Sequence, residues 1–118
     1  MVVLLISEYT AAQLDGSIKL RPLGNFIVSG KKKAIGIFEV LGFVKDFPQD
    51  PAWFTAFNQA REHFVKRELD AAEKMMREVI ALRGGKDGPA EFYLPEITKA
   101  RGLPADAPWD GTVKFDSK

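Results

Sequence analysis

Phe47-Pro48-Gln49-Asp50-Pro51 is the stretch on which the reading of the chain turns. Two prolines bar both a continuing helix and a central strand, and Asp50 before Pro51 is a favoured pairing of N-cap and first helical residue. A helix is therefore expected to start at about residue 51. On the C-terminal side the apolar residues fall at three- and four-residue steps. Phe54, Phe57, Ala60 and Phe64 make one stripe, and Leu69, Ala72, Met76, Val79 and Leu82 a second. Gly84-Gly85 ends that pattern, and Gly88-Pro89 opens a third helix with the stripe Phe92, Ile97 and Ala100 and with Leu94 near it. Pro104 and Pro108 bar further helix. The expected division is residues 1–46, rich in strand, and residues 47–118, with helices at about 51–66, 69–83 and 89–101 and an irregular tail. The fold class is α+β.

Upstream of the prolines the texture differs. Val2-Val3-Leu4-Leu5-Ile6 is a short, uniformly apolar, partly β-branched run, the pattern of a buried strand covered on both faces. Ser7 can cap a short helix to about Leu14, and Asp15-Gly16 supplies the positive φ that ends it. Ile18 and Leu20 alternate with polar neighbours, but Pro22 lacks the N–H of a central ladder, so this piece belongs at an edge or a bend. Phe26–Val28 and Ala34–Leu41, separated by Ser-Gly-Lys-Lys chemistry, predict a β-hairpin.

Composition narrows the function classes. The chain has 118 residues and is 46% hydrophobic, enough for one ordinary core or two small ones. Seventeen basic against sixteen acidic side chains give a net charge of +1, so no overall field favours nucleic acid or an anionic membrane, and no nucleic-acid partner is expected. The absence of cysteine rules out disulfides and thiolate chemistry, which suits a reducing, cytoplasmic setting. The apolar start is far below the roughly 20 residues that span a bilayer.

Few side chains are placed for chemistry. Gly30-Lys31-Lys32-Lys33 lacks the upstream glycine and following hydroxyl of a phosphate-cradling Walker loop, leaving a solvated hairpin turn or a simple anion contact as its readings. His63 has neither cysteine nor a second histidine to complete a metal site. Asp106, Asp110 and Asp116 lack the spacing of a twelve-residue calcium loop. No serine–histidine–acid arrangement can be singled out. Trp53 and Trp109 suit core or docking anchors better than a ligand platform, with Trp109 docking the tail. No catalytic and no metal-binding residue is expected in this chain.

Taken in order, Leu4-Leu5-Ile6-Ser7-Glu8-Tyr9-Thr10, Arg21-Pro22-Leu23-Gly24, Val28-Ser29-Gly30-Lys31 and Ile37-Phe38-Glu39-Val40-Leu41 resemble the end of a class III adenylate or guanylate cyclase catalytic domain. The family's wording there is an "ILIS" strand and helix, an "R-x-L-G" step, a "V-K-G-K" turn and a "VYEL" last strand. Asp87-Gly88-Pro89-Ala90 with Tyr93-Leu94, and Pro108-Trp109-Asp110-Gly111, are similar to the tail that follows this domain in many bacterial adenylate cyclases. The intervening helix pair resembles a single tetratricopeptide unit, with Ala60 and Ala72 at the small positions where helices approach, Leu69 and Met76 as apolar partners, and the third helix as a cap.

The resemblance implies a bacterial parent enzyme that makes cyclic AMP and pyrophosphate from ATP on a dimeric core. Its magnesium aspartates and its transition-state asparagine and arginine would precede the "ILIS" strand. It also implies that the first lysine of "V-K-G-K" faces the substrate phosphates; Ser29 stands there in this chain, followed by Lys31. The chain alone is therefore expected to be inactive, a C-terminal structural or regulatory piece bound to the rest of its parent. Its strands, stripped of the covering they would have in a whole cyclase domain, are expected to self-associate. The rival expectation is a free-standing tetratricopeptide-like module whose helices receive a peptide partner.

Overall fold

A computed structural model describes residues 4–28 and 32–115 of the chain, which form two compact units, Met1–Asp50 with Thr112–Lys118, and Pro51–Gly111. The first carries a four-stranded sheet and the second three helices, so the fold is α+β, with the helices following the strand-rich part.

In the sheet unit the strands are β1 (Leu5–Ser7), β2 (Ile18–Val28), β3 (Ile35–Phe43) and β4 (Val113–Phe115), in the spatial order β1-β3-β2-β4. β2 and β3 are the antiparallel arms of the expected hairpin, in register from Ile18 opposite Phe43 to Phe26 opposite Ile35. The register shifts between Lys19 and Leu20 and again between Pro22 and Gly24, where Gly24 takes φ +136°. Pro22 thus marks a bulge inside one long strand, and the two short pieces expected on either side of it are continuous. Ser7 caps α1 (Glu8–Ala11), its Oγ accepting from the Thr10 N–H at 3.3 Å. Gly16 follows at φ +89°. A single 3-10 turn, Val44–Asp46, ends the hairpin.

Two expectations for this unit are corrected. Among the described residues β1 is an edge strand paired only with β3, and its Leu5 is 51% exposed, as is the preceding Leu4 at 58%, so Leu4 and Leu5 of the apolar start are not covered on both faces; Val2 and Val3 lie outside the described residues. A run apolar throughout meets the requirement for double burial, but burial also needs a second layer, and none covers Leu4 and Leu5 among the described residues. The tail is not wholly irregular either, for Val113–Phe115 runs parallel to Phe26–Val28 as β4. Three residues are too few for an alternating pattern to show.

The helical unit contains α2 (Ala52–Val65), α3 (Leu69–Leu82) and α4 (Gly88–Arg101). The cap expected from Asp50 does not form. Pro51 holds the N-cap position with extended backbone, and the Asp50 carboxylate instead accepts from the Lys19 ammonium. With α2 starting at Ala52, Asp50 stands one residue before the cap position. α2 buries Phe54, Phe57, Ala60 and Phe64 as its stripe requires, and α3 buries Ala72, Met76 and Val79, while Leu69 at its start is half-buried and Leu82 at its end is exposed. On α4 the buried face is Ala90, Tyr93, Ile97 and Ala100, so Ile97 and Ala100 of the expected stripe are buried while Tyr93 takes the place of Phe92, which is half-buried like Leu94. Steps of three, four and three residues keep the observed set on one side of a 3.6-residue helix better than the five-residue step from Phe92 to Ile97.

Candidate functional site

The residues singled out by resemblance gather in two places, a sheet crossed by one buried ion pair and a helix bundle latched by its own tail. Each can be built from its local chemistry.

In the sheet, Arg21 lies directly opposite Glu39, and the bulge at Pro22–Gly24 sets that register. The Arg21 guanidinium donates to Glu39 at 3.1 Å, with Arg21 fully buried and Glu39 7% exposed. Taking both charges out of water is costly unless each satisfies the other, so the pair penalises any slip of the hairpin. Arg21 belongs to the "R-x-L-G" step and Glu39 to the "VYEL"-like strand, and both are therefore interior groups. Ser29 and Lys31 lie outside the described residues. Beside them Lys32 and Lys33 are exposed, with the Lys33 ammonium 5.9 Å from the centre of the Tyr9 ring. β4 adds exposed Lys114 opposite Ile27, a neighbour of the hairpin that no local pattern announces.

In the helical unit, Asp87 is the N-cap of α4. Its Oδ2 accepts from the Ala90 N–H at 3.0 Å, its own N–H donates to Glu91 Oε2 at 2.9 Å, and Oδ1 accepts from Arg83 at 3.0 Å. Arg83 in turn lies 4.1 Å from the centre of the Trp53 ring. Asp87-Gly88-Pro89-Ala90 therefore works as a helix start. Tyr93 is the hub of an edge-to-face aromatic cluster, 6.1 Å from Phe57, 5.1 Å from Phe64 and 5.7 Å from Phe92. Burial pushes its phenol above the ordinary tyrosine value, an effect that Arg61 opposes.

The tail docks through Trp109. Its indole N–H is shared between the Phe64 and Val65 carbonyls, at 3.0 and 2.9 Å, and its ring meets Phe64 edge to face at 5.1 Å. Both carbonyls belong to the last turn of α2, and that of Phe64 also accepts from the Arg67 N–H at 3.0 Å. Gly111 then passes so close to α2 that a Cβ on it would stand 2.8 Å from Val65 Cγ2 and 3.0 Å from Val65 Cα, and it does so at φ +80°. Only glycine fits both demands. Arg67, between α2 and α3, takes φ +64°, and its guanidinium donates to the Leu103, Pro104 and Ala105 carbonyls at 3.3, 2.8 and 3.1 Å. It also lies 5.7 Å from the centre of the Trp109 ring.

Ala60, Ala72 and Met76 are fully buried on the packed pair α2 and α3, and Leu69 is half-buried at the start of α3. Beside Leu69 opens a cavity of about 520 Å³, lined by Arg67, Asp70, Arg101, Leu103 and Ala105 among others. Its charged walls are already engaged. Arg101 donates to Asp70 at 2.7 Å and to Glu73 at 2.5 Å, and these bonds raise its pKa, with Glu73 the larger influence. The Glu73 carboxyl is held below the usual glutamate value, first by Arg101 and then by Arg77. His63 pairs with Glu68 at 2.8 Å on the surface.

Among the described residues no group of three histidines and carboxylates comes together as a metal site. Among them too, no helix is long and apolar enough to cross a membrane. No family model, curated protein or solved structure matches the chain.

Proposed function

We propose that this chain is the C-terminal, non-catalytic part of a bacterial class III adenylate cyclase, with a structural or regulatory role beside a catalytic core that turns ATP into cyclic AMP and pyrophosphate. The observation that carries this reading is the order of elements under the resembling segments. Leu4–Thr10 spans β1 and most of α1, Arg21–Gly24 is a bulged step in β2, and Ile37–Leu41 is β3, as the family's wording implies. The Asp87–Ala90 and Pro108–Gly111 segments support it by having work to do together, one starting α4 and the other fastening the tail to α2. Ser29 and Lys31 are assigned to the substrate phosphates by the resemblance alone, magnesium belongs to the upstream core, and the setting is cytoplasmic. The buried small residues Ala60 and Ala72 on the α2–α3 pair favour a second reading, a tetratricopeptide-like module that binds a peptide.

The test is to express the longest reading frame containing this chain, with and without residues 1–118, and to measure cyclic AMP formed from ATP with magnesium or manganese. The longer protein is expected to turn over, the 118-residue chain alone to stay at the buffer background. A frame that starts at Met1 would sink the cyclase reading in favour of the free-standing module. Cyclic AMP from the chain alone would overturn its non-catalytic role.

A further inference from the structure

The end of α2 carries a residue in a conformation that its surroundings must hold in place. Lys66 is the C-cap of α2, and the next residue, Arg67, takes φ +64°. The Arg67 N–H donates to the Phe64 carbonyl at 3.0 Å and the Glu68 N–H to the His63 carbonyl at 2.8 Å, the Schellman pair of bonds that closes a helix over a left-handed residue. Glycine is the usual residue at that position, because a Cβ makes the left-handed backbone costly. Arginine gives up that ease and supplies a guanidinium. It donates to three successive carbonyls, those of Leu103, Pro104 and Ala105, and lies 5.7 Å from the centre of the Trp109 ring. Residues 102–106 are exposed, so polar contacts and not burial hold this stretch. Trp109 completes the hold at the same spot, its indole N–H sharing the Phe64 carbonyl with the Arg67 N–H, each at 3.0 Å. The helix cap and the docked tail meet at one acceptor.

We propose that residues 103–111 form a strap that opens and closes against the end of α2, and that Arg67 is its catch. The proposal rests on neither the cyclase nor the tetratricopeptide reading. With the strap closed, the three carbonyls and the Trp109 ring offset the cost of the left-handed arginine. With it open, the guanidinium turns to water and that cost falls on the cap alone, since a strained backbone persists only where its surroundings hold it. Closure and cap therefore stabilise each other, and a change at either is felt at the other. Local opening draws on segments that bury little, and Leu103, at 44% exposure, stands outside the core. Gly111, seated against Val65 at φ +80°, marks the far end of the strap. What opening changes is the cavity beside Leu69. Leu103 and Ala105 line it together with Arg67 and Arg101, so release of the strap takes one wall away.

The test reads hydrogen exchange of the 118-residue chain at the Trp109 indole, at the Arg67 and Glu68 amides and along α2 and α3, under conditions where exchange follows the opening equilibrium. In the wild type the Trp109 indole is expected to exchange faster than the central amides of α2 and α3, the mark of a strap that opens while the helices stay folded. Arg67→Gly separates the two roles of the residue, because it keeps the cap and removes the guanidinium. The Trp109 indole is then expected to exchange about tenfold faster or more, with α2 and α3 keeping their protection. Trp109→Phe probes the reverse direction, and the Arg67 and Glu68 amides are expected to exchange several-fold faster. If Arg67→Gly leaves the Trp109 indole unchanged or slows it, Arg67 is a cap and no more, and the proposal falls. It falls equally if the wild-type indole exchanges no faster than the central helix amides, or if Arg67→Gly lowers protection evenly over α2, α3 and α4, for then the tail opens only with the whole unit. Cap amides that ignore Trp109→Phe overturn the coupling.

Discussion

Among the described residues, twelve apolar side chains are buried in the helical unit, against Leu23, Phe26 and Val113 in the sheet unit. The exposed large apolar residues run the other way, with Leu4, Leu5, Tyr9, Leu14, Phe43 and Val44 on the sheet unit and only Val65, Leu82 and Leu103 on the helical one. At about 25 cal/mol per Å² of apolar surface removed from water, this difference decides where the driving force lies. The helices bury aromatic rings against one another, and the sheet relies more on its hydrogen-bond ladder and on a paired charge. A unit with a filled core resists a local change until packing itself is disturbed. One held by directional polar contacts depends on each of them.

The comparison is broken most directly at Glu39. Glu39→Ala removes one carboxylate partner of the buried Arg21 guanidinium and is expected to cost about 3 kcal/mol or more. Hydrogen exchange should show the loss across β2 and β3, with α2 and α3 keeping their protection; uniform loss over both units would erase the distinction. In the helical unit the sharpest probe is Gly111→Ala. The left-handed backbone and the 2.8 Å approach to Val65 together set an expected cost of about 2 to 4 kcal/mol, read as a lower denaturation midpoint. An unchanged midpoint would mean that the tail does not fasten α2.

The smallest effect is expected from Tyr93→Phe, which removes a hydroxyl and keeps the ring, at about 1 kcal/mol near neutral pH. Its signature is the pH profile. Burial raises the phenol's pKa above 10.0, so the fold favours the protonated form. That contribution is complete below the unfolded value and is lost as pH rises through the raised one. The wild type should therefore lose stability above about pH 10, and Tyr93→Phe should flatten that limb; parallel profiles would remove Tyr93 from the account.

What the sequence made legible follows the same boundary. The stripes of α2 and α3 could be read because a helix packs residues that are three and four apart, so local spacing carries the core. The partners of the sheet unit are distant in sequence. Arg21 and Glu39 stand eighteen residues apart, across two register shifts that no local pattern encodes. β1 reads as buried because an apolar run states what the residues tolerate and says nothing of whether a covering layer exists. Of the tail contacts, Trp109 was visible as an aromatic beside prolines. Arg67 was not, since nothing in its neighbours marks a left-handed arginine. The hairpin-tip assignment of Ser29 and Lys31 falls outside the described residues and stays with the resemblance.

β4 has a consequence for the order in which the molecule can be finished. The sheet unit is made of two stretches of chain, Met1–Asp50 and Thr112–Lys118, and the whole helical unit lies between them in sequence. Domains fold as units while the chain emerges from the ribosome, at about 5 to 20 residues per second. All of α2, α3 and α4, with Trp109 and Gly111 behind them, are made before Val113 is. Until then the side of β2 at Phe26–Val28 waits for its parallel neighbour. Of the two units, the one begun earlier is completed later.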